Sequence, residues 1–268
     1  MKIINSCFPF RIPGTHEPLL FCFHHAGGNA GQLRSWSGVQ NEIAVVPVEY
    51  AGHGCRMRER FNQTIQEIAQ EIAQAISREC QFRKVYIYGH SLGSLIAFEA
   101  VKCLERSGIS VGGLAVAGRG APFEQDLSRF RSWMGRDALL TEMRRLGGMD
   151  PQLLENKEFM DYFAPIILKD YALHEAYCYD NSPIRAPIIA HCAEMDVDTS
   201  PQQMKEWKRV TKGLFNFRMF QGGHFFVLES ETYLSALLQD IKNRCSREEI
   251  ICQLRKRKSG KSWRMYWK

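Results

Sequence analysis

No run in this chain approaches the ~18 apolar residues that a bilayer-spanning helix needs, which argues against a helical membrane protein. No CxxC spacing occurs among its nine cysteines, which are odd in number and widely scattered. That is not the pattern of a small disulfide-framed secreted domain, and a reducing, cytoplasmic setting is expected. The N-terminus, MKIINSCFPFRIPG, lacks the apolar core and cleavage site of a secretory signal. Low-complexity segments and internal repeats are missing. Acids are missing from residues 255–268, which hold seven Lys and Arg. Taking those seven from the net charge of +6 leaves the rest of the chain at −1. The body is therefore near neutral, and residues 251–268 read as a basic, flexible tail. Trp263, Tyr266 and Trp267 lie within it, but no nucleic-acid partner is expected.

What is present is a globular composition: 268 residues, 45% hydrophobic and 24% charged. A chain of this size can bury a normal core without a metal or disulfide staple. Cys7, Cys22, Cys103 and Cys192 sit among apolar residues and read as small core side chains. Short apolar runs at 19–23, 43–50, 84–89, 112–118, 186–192 and 215–220 read as strands. Several are apolar throughout, as in a parallel sheet covered on both faces. Between them lie helical patterns at 64–79, 92–106, 201–211 and 229–244. Thr64 and Glu67 have capping-box spacing at the start of the first. This alternation predicts a mostly parallel α/β sheet with helices on both faces. Residues 121–181 break the rhythm. They read as helices at about 124–133, 137–146, 151–156 and 157–177, a helical lid inserted into a core of 1–120 and 182–250.

The strongest chemical signal is Gly89-His90-Ser91-Leu92-Gly93, a G-x-S-x-G pattern between a strand and a helix. That context fits a nucleophile elbow, in which a sharp turn exposes the serine hydroxyl beside a helix N-terminus. A serine needs a base, and in such an arrangement acid and histidine follow the serine in the chain. His224, in Gly222-Gly223-His224 after a strand, is the candidate base. His191 reads as a strand histidine and His174 as part of the lid. The side chain of His90 is expected to point away from the serine. Asp196 is the candidate acid, with Asp198 and Glu194 as alternatives in the same loop. The oxyanion donors are expected to be the backbone amides of Leu92 and of Ala26, the latter in the glycine-rich loop His24–Gly31. That loop matches neither G-x-x-x-x-G-K-[ST] nor G-x-G-x-x-G, so a phosphate cradle is rejected.

Together HHAGG (24–28), AGHG (51–54) at the end of a strand, GHSLGSLIAFE (89–99), LGGMDPQLLENKEF (146–159), AEMD (193–196) and GGHFFVLE (222–229) resemble the type II thioesterases. These are stand-alone α/β-hydrolases of nonribosomal peptide and polyketide synthesis, related to the medium-chain thioesterase of fatty acid synthesis. The similarity covers roughly 15–245. It implies the α/β-hydrolase fold with a helical lid, and cleavage of acyl thioesters from the phosphopantetheine arm of acyl or peptidyl carrier proteins. It also implies an editing role in the synthesis of an antibiotic or siderophore, with Ser91, Asp196 and His224 as the triad and Ala26 and Leu92 as oxyanion amides. No cofactor and no metal is expected, and a monomer is expected. The chain departs from the family's Gly-Asp-x-Asp-Pro around the acid, where it has Ala193-Glu194-Met195-Asp196-Val197. Leu139, Leu140, Met143, Phe159, Met160, Phe163 and Ile167 are expected to shape the acyl pocket and the route for the arm, although residues in such a pattern more often simply pack helix against helix. The alternatives are a medium-chain acyl thioesterase, a carboxylesterase or lipase on small oxygen esters, a transferase that delivers the acyl group to an amine or alcohol, and a retired hydrolase used for binding.

Overall fold

A computed structural model of the protein describes residues 6–14, 17–40, 42–80, 82–124 and 130–243. The basic tail at 251–268 lies outside the described residues. Six strands fall on the expected runs: β1 (Leu19–Phe23), β3 (Ile43–Pro47), β4 (Val85–His90), β5 (Val111–Ala117), β6 (Ile188–Ala193) and β7 (Phe215–Phe220). A seventh, β2 (Gly38–Gln40), pairs antiparallel to β3 at one edge. Its three residues are too few to show a period, so the sequence gives no signal for it. The sheet order is β2-β3-β1-β4-β5-β6-β7, with every pair but β2–β3 parallel. β3 ends three residues earlier than its apolar run, so AGHG lies in a turn beyond the strand.

β1, β3, β4 and β6 are buried at every position, which accounts for runs that do not alternate. Successive side chains still part to opposite faces. Leu19, Phe21 and Phe23 join a layer with α1 (Ile65–Glu79) and α2 (Leu92–Arg106), whereas Leu20 and Cys22 meet Trp36 and a last helix over 233–243. β7 is partly exposed along its length, as its Asn216 and Arg218 suggest for an edge strand. α1 starts at Thr64, whose hydroxyl accepts from the Glu67 amide at 3.1 Å. The Glu67 carboxylate accepts from Gln63 N–H instead of from Thr64, so only half of the capping box forms as spaced. Among the described cysteines Cys7, Cys22 and Cys192 are buried and Cys103 is half-buried. Cys7 is less apolar than expected, because its Sγ lies 3.3 Å from Arg56 Nη1.

The interval between β5 and β6 is helical: α3 (Gly135–Leu146), α4 (Pro151–Glu155) and α5 (Lys157–Ala176). The expected helix at 124–133 does not appear in its described part, which holds only a 3-10 turn at Ser132–Met134. Ser132 instead bonds the Glu175 carboxylate through both its amide (2.6 Å) and its hydroxyl (2.7 Å), tying this stretch to the end of α5. The helices share a small core of their own around Phe130, Leu139, Leu154, Met160 and Ile167. Beyond β6 come α6 (Pro201–Lys205), where the expected 201–211 helix tightens into a 3-10 turn, and α7 (Phe226–Glu229). The final helical pattern is interrupted at 230–232. No helix among the described residues is long and apolar enough to cross a membrane.

Candidate active site

The strand order reverses about β1: β3 lies on one side of it and β4 on the other. Ligand sites in open parallel sheets form at such a point, beyond the carboxyl ends of the strands. Two of the singled-out segments leave the sheet there, the 24–31 loop after β1 and the 89–93 turn after β4.

At the turn, Ser91 has φ 53° and ψ −122°, a backbone conformation that side chains rarely adopt. Its amide donates to Ala117 O on β5 at 2.8 Å, which pins the turn to the sheet. The flanking glycines are steric necessities. A Cβ on Gly89 would stand 2.2 Å from Gly93 O, and one on Gly93 would stand 2.5 Å from the carbonyl oxygens of Phe23 and His24. Ser94 adds a staple: its buried hydroxyl donates to Gly89 O at 2.8 Å and accepts from Ala117 N–H at 3.3 Å. Leu92 is the first residue of α2, so its amide has no acceptor within the helix and lies at the positive end of the helix dipole.

The structure brings Ser91, His224 and Asp196 together. Ser91 Oγ lies 3.1 Å from His224 Nε2, and His224 Nδ1 lies 3.1 Å from both Asp196 oxygens. A carboxylate only accepts, so Nδ1 carries the proton and Nε2 is left to accept from the serine. The Asp196 side chain has no exposure and that of His224 has 7%. Burial alone would raise the Asp196 carboxyl, but the His224 hydrogen bond and charge and the Asp198 amide outweigh it, holding Asp196 below the usual carboxylate range. The two loops are also joined through the backbone, Met195 N–H donating to Gly222 O at 3.0 Å.

The other candidates fall elsewhere. Asp198 donates its amide to Asp196 at 3.0 Å and pairs its carboxylate with Arg145 of α3, not with His224. Glu194 is exposed. His191 is fully buried in β6, its Nδ1 2.9 Å from Tyr233 Oη. His174 lies on α5, where Arg119 donates to its Nε2 at 2.9 Å. His90 turns to the histidine loop: its Nε2–H donates to His224 O at 2.9 Å, and burial pushes the ring down to about 3, so it stays neutral. Its place inside the G-x-S-x-G pattern was the signal. Only the fold shows that a side chain leaving the elbow on the far side meets the histidine loop.

Ala26 sits at the second position of a tight turn closed by Gly28 N–H to His25 O at 3.0 Å, with Gly27 at φ 71° as the third position of a type II turn requires. His24 Nδ1 lies 2.9 Å from the same His25 oxygen. Because that carbonyl is held, the amide across the same peptide bond, Ala26 N–H, is turned the opposite way. A narrow cleft of about 50 Å3 is lined by Ala26, Ser91, Leu92 and His224 on the core side. Leu146, Tyr171 and His174 line it from the lid. This corrects the expected acyl wall. Leu139, Met160 and Ile167 form the lid's own core, with Leu140, Met143 and Phe159 packed against it, and Phe163 stacks on Phe159 at 4.2 Å. None of those seven lines the cleft. Helical spacing reveals a buried face but not which neighbour buries it. Among the described residues no cluster of three or more His, Cys, Asp or Glu could hold a metal ion.

Residues 18–245 match the thioesterase domain family. The chain is 31% identical to thioesterase PikA5 of Streptomyces venezuelae over 211 residues, covering 78% of this chain and 75% of that protein. It is 30% identical over 235 residues to a Brevibacillus parabrevis protein named linear gramicidin dehydrogenase LgrE, covering 85% and 89%. Among solved structures, the type II thioesterase BorB from the borrelidin biosynthetic cluster superposes with a TM-score of 0.77 at 30% identity, covering 86% of this chain and 95% of that one.

Proposed function

The chain belongs to the thioesterase domain family, and from that premise we propose that it is a type II thioesterase that clears acyl groups from the phosphopantetheine arm of carrier proteins in nonribosomal peptide or polyketide synthesis. The observation that carries the chemistry is the unbroken hydrogen-bonded line from Ser91 through His224 to Asp196 at the mouth of a cleft. Support for the substrate class comes from its likeness to PikA5 and to BorB, which is itself a type II thioesterase.

Ser91 Oγ attacks the thioester carbonyl as its proton passes to His224 Nε2. Asp196 holds the imidazolium that forms. The Ala26 and Leu92 amides receive the tetrahedral oxyanion, each such donor typically contributing ~10²–10³ in rate. Collapse breaks the C–S bond, and His224 returns the proton to the leaving thiol. Water, deprotonated by His224, then attacks the acyl-Ser91 ester. The second collapse restores the serine hydroxyl and releases a carboxylic acid. The route draws on no metal or redox cofactor. The partner is the carrier domain that presents the arm. No redox step is carried over from the name of LgrE, because the 24–31 loop lacks a dinucleotide pattern and its turn presents Ala26 to the serine cleft.

Mass spectrometry of a panel of acyl-loaded carrier proteins tests the reading. Wild-type protein is expected to strip a subset of them, and the Ser91→Ala variant none. Faster turnover of nitrophenyl esters than of any acyl carrier would favour the carboxylesterase alternative.

A further inference from the structure

The oxyanion turn does not stand on the core alone. Gly27 N–H donates to Asp170 Oδ2 at 2.7 Å, and Asp170 belongs to α5, in the lid. The Asp170 side chain is buried, and the same oxygen lies 2.9 Å from His53 Nε2. His53 in turn places Nδ1 3.2 Å from Ala51 O. Both ring nitrogens of His53 therefore face acceptors, and only the imidazolium, with two N–H groups, satisfies both. Asp170 is its counter-ion, so a buried ion pair links the lid helix, the AGHG turn and the oxyanion loop.

The packing around this pair is equally close. A Cβ on Gly27 would stand 2.5 Å from Ile167 Cγ1, one turn of α5 before Asp170. Tyr171 and His174, further along α5, line the cleft. One stretch of α5 thus clamps the oxyanion turn and walls the substrate space. Stability is a poor reason for the pair. Buried ion pairs often contribute no more than apolar residues of the same volume. Asp170 Oδ1 is also buried without a hydrogen-bond partner, a cost that an apolar side chain would avoid.

We propose that Asp170 is a positioning residue for the oxyanion hole: its carboxylate, held by His53, fixes the 25–28 turn so that the Ala26 amide faces the reacting carbonyl only when α5 is seated on the core. The peptide between Ala26 and Gly27 is the neighbour of the one carrying the Ala26 amide. Freeing Gly27 N–H lets that peptide rotate and misaims the donor without touching Ser91, His224 or Asp196. Lid seating and completion of the hole are then a single event.

The inference rests on the thioesterase reading, and full-length protein with an acyl-pantetheine thioester tests it. Asp170→Ala is expected to lower kcat per folded molecule by about 10- to 100-fold, up to the lower end of the effect of deleting a donor outright. KM should stay within twofold. Affinity for a trifluoromethyl ketone analogue, which forms an oxyanion on Ser91, should fall by the same factor as kcat. Affinity for the unreactive amide analogue should be unchanged. Asp170→Asn keeps an oxygen for Gly27 and is expected to recover kcat to within about fivefold of wild type. Unchanged kcat in Asp170→Ala, equal losses for both analogues, or Asp170→Asn no better than Asp170→Ala would each overturn the proposal. If Asp170→Ala does not fold, Asp170→Ser, too short to reach Gly27, takes its place. If neither folds, Asp170 is a fold determinant and the proposal falls. Wild-type protein inactive on every thioester would instead refute the functional reading.

Discussion

The elbow and the lid solve the problem of holding a catalytic group in opposite ways. At the elbow, position is enforced by backbone against backbone: Gly89 meets Gly93, and Gly93 meets the carbonyls at the end of β1. No rotamer change relieves such contacts, so Ser91 keeps its strained φ and its hydroxyl stays aimed. The lid helices instead have their own small core and reach the site through a few side chains: Asp170 to Gly27, His174 to Arg119, and Arg145 to Asp198. Side-chain ties can break singly and reform. The difference teaches that the serine is held by backbone sterics, whereas the helical wall of the cleft is held by side-chain bonds that can be removed one at a time.

Breaking the elbow should therefore be far more costly than breaking the lid. The largest effect is expected from Ser91→Ala, which should lower turnover by roughly 10⁶ while circular dichroism and thermal unfolding stay near wild type. Asp196→Asn comes next, at roughly 10⁴ in kcat, because the amide stabilises the wrong imidazole tautomer. Near-normal turnover in that variant would shift the acid role to Asp198. Gly93→Ala should cost about 3 kcal/mol in denaturant unfolding, the upper end for overpacking, since the clash is with backbone that cannot rotate away. On the lid side, Arg145→Ala removes ion pairs between a partly exposed guanidinium and two largely buried carboxylates, Glu142 and Asp198, and is expected to cost about 1–3 kcal/mol. It should change KM by no more than about fivefold and leave kcat alone.

The two regions should also respond to pH with opposite sign. His90, at the elbow, has its pKa depressed by burial to about 3, and burial also lowers His191 in β6 below 6.5. Both bind fewer protons folded than unfolded as pH falls below 6.5. Each contribution is present above 6.5 and is lost as pH falls through the folded value, which for His90 is about 3, at about 1.4 kcal/mol per unit. His53 runs the other way. Burial opposes its charge, but Asp170 and the Ala51 carbonyl prevail, so its pKa is raised. Its contribution is complete below 6.5 and fades as pH rises through the folded value. Melting temperature should fall between pH 7 and pH 5 in wild type, and His90→Gln should flatten that fall. Removing His53 should leave the acid side untouched and lower the alkaline loss.

How much was legible follows from the range of the interactions. Steric demands within a few residues write themselves into residue type, and so the elbow could be read from five residues. Loop order placed His224 and Asp196, because the strands before each end at the same sheet edge. The acid loop was the harder case. Asp196 and Asp198 are two residues apart, and only the pairing of Asp198 with Arg145, 53 residues away, assigns each carboxylate its partner. His53 stands within AGHG, yet nothing in its neighbours names Asp170, 117 residues distant, as its counter-ion. The lid showed its helices from 135 onward by period alone. Its inward face allows two readings, since an apolar stripe is the same whether it packs on a substrate or on another helix.

The sequence by itself determined the mostly parallel sheet, the strained serine and which histidine stands beside it, since local sterics and chain order permit few other outcomes. Tertiary structure alone decided which carboxylate faces His224, which side chains of the 135–176 helices line the cleft, and how the Asp170 carboxylate comes to accept from Gly27. Those choices depend on distances between segments far apart in the chain, and such distances exist only after the core has packed.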